Sequence, residues 1–108
     1  PEADKGQKEQ ETAEWLGVKV SGVLDWMLRK YDIPENEGGV VVIDIEASEK
    51  GADFGLVLGD LIKEINGGKI RNVDDFKKAI KKVSLKDGVV FDILRAGQPL
   101  YISYSSDE

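Results

Sequence analysis

The chain has 108 residues, enough for one domain that buries a core without help from disulfides or metal. It contains no cysteine and no histidine, which excludes disulfide frameworks, Cys/His zinc sites and any catalytic triad built on histidine. Lys and Arg number 15 against 21 Asp and Glu, a net charge of −6 that argues against nucleic acid or an anionic membrane surface as the main partner, and no apolar run approaches the roughly 20 residues of a membrane span.

Residues 1–13 (PEADKGQKEQETA) are polar and aperiodic and read as a flexible linker. The first apolar segment follows, Trp15-Leu16-Gly17-Val18-Lys19-Val20. On its own it reads most simply as the opening strand of a sheet. Beside that stands a second reading, in which Gly17 lets the backbone turn its N–H groups toward an anion while Val18–Val20, with Lys between two valines, leaves a strand edge open to a partner strand. Ser21 is placed to cap a helix carrying Val23, Leu24, Met27, Leu28 and Tyr31 on one stripe, with Trp26 beside it, and Asp32-Ile33-Pro34 ends it.

Two glycines, Gly38 and Gly39, then lead into Val40-Val41-Val42-Ile43-Asp44-Ile45, whose nearly continuous β-branched run suits a central strand covered on both faces. Lys50–Phe54 reads as one helical turn ended by Gly55. Leu61–Ile65 is a strand, Asn66-Gly67 a strong hairpin signal, and Gly68–Ile70 the returning arm. Asn72 caps the second helix, with Val73, Phe76, Ala79, Ile80 and Val83 as its apolar stripe and Asp74 and Asp75 complementing its positive end. Val89–Arg95 and Leu100–Tyr104 form a last pair of strands around Ala96-Gly97-Gln98, and Ser105–Glu108 is a polar tail. The sum is an α+β fold, a partly open β-barrel or sandwich of five to six strands capped by two helices.

This order of elements resembles a PDZ domain over about residues 15–104, and within that family the permuted type found in bacterial HtrA/Deg serine proteases. The stretch Gly55-Leu56-Val57-Leu58-Gly59-Asp60-Leu61-Ile62-Lys63-Glu64-Ile65-Asn66-Gly67, followed by Val73-Asp74-Asp75-Phe76, carries the likeness, together with the aromatic-Leu-Gly-Val at residues 15–18. Where the family usually has Gly-Ser-Pro-Ala before its short turn helix, this chain has Ser48-Glu49-Lys50-Gly51-Ala52. The resemblance implies that main-chain N–H groups of Leu16, Gly17 and Val18, after Trp15, hold the terminal carboxylate of a peptide. It implies further that this peptide pairs antiparallel with Val18, Lys19 and Val20. Its last side chain would enter a pocket walled by Phe76 and Ile80 with Lys77 at the rim. The stripe itself leaves open which of Val73, Phe76, Ala79, Ile80 and Val83 face that groove.

For catalysis within the chain the sequence offers little: no Gly-x-Ser-x-Gly elbow, no phosphate-binding loop and no calcium loop, and its acidic pairs suit helix ends and exposed faces. The expectation is a non-catalytic module with no cofactor and no metal, binding C-terminal tails of protein substrates or regulators. The resemblance adds a parent protease, with its protease domain and a homo-oligomer as further partners, and an extracytoplasmic location, periplasm or cell envelope. Two alternatives stand beside it: a PDZ domain of a membrane-associated site-2-type metalloprotease, and a structural oligomer or secretion-complex module with no free-peptide ligand.

Overall fold

The computed structural model describes residues 11–106. Along the chain run β1 (Thr12–Trp15), β2 (Val18–Gly22), α1 (Asp25–Lys30), β3 (Val40–Ile45), a 3-10 turn (Lys50–Asp53), β4 (Leu61–Ile65), β5 (Gly68–Lys69), α2 (Val73–Ile80), β6 (Val89–Arg95) and β7 (Gln98–Tyr104). All strand pairs are antiparallel, in the order β1-β2-β3-β4-β6-β7, with β5 paired to β4. The α+β architecture with two helices matches the expectation from sequence, and the sheet gains a seventh strand, β1, from residues read as linker. The linker reading is thus corrected at Thr12 and Ala13; its first ten residues lie outside the described part.

Both faces of the central strands are covered, which is what a β-branched run demands. On one side Val40 and Val42 join Val18, Val20, Ile62, Ile65, Phe91, Ile93 and the α2 residues Val73 and Phe76 in the main core. On the other, Val41, Leu61 and Leu94 pack with Met27 of α1 and with Ile33. Strict alternation would send Ile62 and Ile65 to opposite faces. A register shift between Ile62 and Glu64 against β6 adds one residue and returns both to the same core.

Helix α1 starts one turn later than its stripe suggests. Ser21 lies in β2, 1% exposed, and its hydroxyl donates to the Gly22 carbonyl at 2.8 Å, so it caps nothing. Leu24, extended, precedes the helix instead. At the far end Asp32 takes φ 58° and the Ile33 N–H reaches back to the Leu28 carbonyl at 2.9 Å, a left-handed cap that stops the helix before Pro34 acts. Trp26 is exposed on this helix, its ring 6.2 Å from that of Tyr31. For α2 the capping is as expected: the Asp75 N–H donates to Asn72 Oδ1 at 2.9 Å.

One buried charge ties the far side together. Asp60, fully buried, accepts from Arg95 through Nε at 2.9 Å and Nη2 at 2.8 Å, and from the Val57 N–H at 2.9 Å. Arg95 also donates to the Gly55 carbonyl at 2.9 Å, so one guanidinium fastens the β6–β7 hairpin to the turn before β4. Its bonds to Asp60 raise the guanidinium pKa further against the opposing effect of burial.

Candidate functional site

The aromatic-Leu-Gly-Val stretch forms a tight hairpin. Leu16 and Gly17 have φ of 52° and 89°, and Trp15 faces Val18 across them, so the chain reverses in two residues. Glycine is required at the second position twice over. Its backbone is left-handed, and a Cβ there would stand 2.4 Å from Glu49 Cβ and 3.1 Å from Glu46 Cβ. The turn is also pinned from outside: the Leu16 carbonyl accepts from the Gly51 N–H and the Gly17 carbonyl from the Glu46 N–H, each at 2.8 Å. Gly51 allows that approach, since a Cβ on it would lie 2.5 Å from Val18 Cγ2 and 2.6 Å from the Leu16 carbonyl oxygen.

The edge of β2 expected to be open is therefore occupied. Pairs Thr12↔Ser21, Ala13↔Val20, Glu14↔Lys19 and Trp15↔Val18 lay β1 along it, and the Gly22 N–H to Glu11 carbonyl bond, 3.2 Å, continues the ladder. In an antiparallel pair, directly opposed residues alternate between exchanging both main-chain bonds and exchanging none. The Gly22–Glu11 bond sets the phase, so Val20 bonds Ala13 and Val18 bonds Trp15. Hence the N–H groups of Val18 and Val20 point at β1, and the Trp15 carbonyl stands where an incoming carboxylate was expected to meet the Val18 N–H. The reason is local: Ala13 and Trp15 alternate with Thr12 and Glu14, and both pack on the main core beside Val18 and Val20.

Trp15, half-buried, closes an aromatic group, its ring centroid 5.2 Å from Phe54 and 6.4 Å from Phe91, with Phe54 in turn 5.1 Å from Tyr104. Helix α2 packs against β1 and, less extensively, against β2. Of the residues expected on the groove wall, Phe76 is fully buried in the main core. Ile80, Ala79 and Val83 are half-buried and pack against that core from its margin. Lys77 is exposed and, with Val73 and Asp74, shares a shallow hollow of about 360 Å³ with Glu11 and Thr12 of the entering strand. Lys19 is exposed on the outer face between Glu14 of β1 and Asp44 of β3, an acid-base-acid row across three strands.

Sequence reasoning missed β1 and the buried pair of Asp60 and Arg95. The Ala13-x-Trp15 alternation ahead of Leu16-Gly17 is the signal that finds the first; only proximity in space finds the second.

The family profile described as PDZ domain matches residues 15–104. The chain belongs to the PDZ domain family. Among curated relatives, it is 32% identical over 89 residues to "Probable periplasmic serine endoprotease DegP-like" of Marinomonas sp., a match covering 82% of this chain and 18% of the relative. To the protein of the same name from Chlamydia trachomatis it is 24% identical over 93 residues, covering 86% and 18%. The PDZ chain thus spans less than a fifth of the length of these proteases. In fold it is similar to the HtrA-type protease AlgW with decapeptide, with a TM-score of 0.70 at 20% identity, over 87% of this chain and 29% of that one. It is similar also to the HtrA3 PDZ domain bound to a phage-derived ligand (FGRWV), with a TM-score of 0.66 at 17% identity, over 88% and 86%. Among the described residues no helix is long and apolar enough to cross a membrane.

Proposed function

We propose that this PDZ domain is the peptide-recognition module of an HtrA/Deg-type serine protease and takes C-terminal tails of substrates or regulators by strand addition beside Val18–Val20. One observation carries the reading: an extended segment already pairs antiparallel with Val18 and Val20 against α2, so this edge is shaped to accept a strand. The relatives support it, since AlgW was solved with a decapeptide and the HtrA3 PDZ domain with FGRWV. Main-chain bonds to Val18 and Val20 would give sequence-independent grip, and the apolar margin formed by Trp15, Ala79 and Ile80 would read side chains. Affinity is modest, because a flexible tail loses conformational freedom on ordering. The protease domain, further copies of the chain and an extracytoplasmic setting belong to this proposal through the names of the relatives.

The covered edge favours a rival reading, a structural module with no free-peptide ligand. Calorimetric titration with FGRWV as the free acid and as the C-terminal amide separates the two. The free acid is expected to bind at least about tenfold more tightly, as loss of a charge-assisted hydrogen bond predicts. Equal binding of acid and amide ends tail capture. No binding of either, by the full chain or by its Ala13→Pro variant, ends the reading altogether.

A further inference from the structure

We infer that Thr12–Trp15 is a self-occupant of the peptide groove: the chain holds its own strand where a guest would lie, and binding is an exchange of one strand for the other. The inference rests on the peptide-recognition reading and concerns how that site is regulated and what it selects. The main-chain groups of Val18 and Val20 can serve one partner at a time. β1 takes both residues, through Trp15 and Ala13. It also lies against α2, which is the other wall a guest would need.

The geometry suits a detachable arm. Its hinge is fixed, because the Leu16 and Gly17 carbonyls are bonded to Gly51 and Glu46 and stay with the domain if the arm leaves. The arm itself is short, four residues, and only Ala13 and Trp15 of it pack on the core. Glu14 faces water. No side-chain hydrogen bond or ion pair of β1 to the rest of the domain occurs among the described residues. Loss of the arm uncovers a strand edge and part of an aromatic cluster, and these call for a replacement rather than for water.

The self-strand also states what replaces it. Trp15 sets a large aromatic against Phe54 and Phe91 opposite Val18, and Ala13 sets a methyl opposite Val20. The competing partner is therefore an extended segment with an apolar side chain at its loop-proximal residue and no demand on the residue before it.

The test uses the full chain. Amide exchange is followed at Val18 and Val20, and FGRWV is titrated into the wild type and into Ala13→Pro, which removes the N–H that Ala13 gives to Val20 and changes no residue outside β1. The expected result is slow exchange at Val18 and Val20 in the wild type, fast exchange in the variant, and about tenfold or tighter peptide binding by the variant, since a closed fraction lowers apparent affinity in proportion. Addition of FGRWV to the variant restores slow exchange at both amides. Fast exchange at Val18 and Val20 in the wild type, a measurement that needs no variant to fold, overturns the inference. So does equal peptide affinity of the two forms. A wild type that protects these amides only as a dimer overturns self-occupancy in favour of strand exchange between copies. Absence of peptide binding by both forms, with exchange switching as expected, overturns the peptide-recognition reading instead, so the two failures are told apart.

Discussion

At one edge of the sheet β7 pairs with β6 over seven residues, Val89–Arg95 against Gln98–Tyr104, while at the other β1 pairs with β2 over four. Both hairpins turn in two left-handed residues, Ala96–Gly97 at φ 53° and 80° and Leu16–Gly17 at 52° and 89°. They differ in what fastens the arms. Behind Ala96–Gly97, Arg95 reaches a buried carboxylate and a carbonyl on another part of the chain. Behind Leu16–Gly17 only the turn is tied down, and β1 is held by its ladder and two apolar side chains. The same turn geometry thus makes a permanent edge in one place and a removable one in the other. The turn does not decide: at β7 the ladder is longer, seven pairs against four, and the hairpin is tied through Arg95 to Asp60 and Gly55.

The largest effect that checks this comparison is at the permanent edge. Arg95→Ala leaves Asp60 buried with one main-chain donor in place of three bonds, and a loss of about 2–3 kcal/mol in unfolding free energy is expected, near the low end for a broken buried pair because Arg95 is partly exposed. Urea denaturation measures it. A loss below about 0.5 kcal/mol, the usual range of surface changes, would place the two edges on equal terms.

A smaller effect is expected at the removable edge. Glu14→Lys sets like charges opposite each other at Glu14↔Lys19, without touching the residues that face the core. Peptide affinity should rise about threefold and the unfolding free energy should fall by the equivalent amount, about 0.7 kcal/mol, which matches the scale of a cross-strand charge reversal on an exposed face. Because the pair faces water, the gain should shrink as ionic strength rises. A gain in affinity that is independent of salt would mean that the variant acts on the guest and not on β1.

Most of the framework is legible in the sequence because it is written in patterns with one physical solution. The Val40–Ile45 run can only be a strand covered on both faces, Asn66-Gly67 can hardly be other than a tight hairpin turn, and Asn72 with Asp74 and Asp75 marks a helix start. The site was less legible. Leu16 is a residue that local preference keeps out of the left-handed region, so nothing in Leu-Gly announces a two-residue turn. Thr-Ala-Glu-Trp carries the alternation of a strand but over four residues only, and packing of Ala13 and Trp15 on the core completes the case. The stripe of Val73, Phe76, Ala79, Ile80 and Val83 gives the apolar direction of α2 but not which part of it the sheet covers. Asp60 and Arg95 are 35 residues apart, and no local rule joins them.

The smallest effect tests whether α2, the wall beside β1, belongs to the framework. Asp75 in its first turn accepts from the Arg71 N–H at 3.0 Å and from Arg71 Nε at 3.1 Å. The main-chain bond, then the side-chain bond, hold its pKa below the ordinary 3.8, against the opposing effect of burial. A depressed carboxyl favours the folded state fully above its unfolded pKa, and that contribution is lost as pH falls through the folded value. In Arg71→Gln the main-chain donor survives and the guanidinium does not, so the Asp75 carboxyl followed by NMR should titrate higher than in the wild type. Ala13→Pro should leave that titration where it is, since the cap of α2 is built entirely from Arg71, Asn72 and Asp75. A shift of Asp75 on releasing β1 would mean that the helix depends on the strand beside it, and that the arm is structural after all.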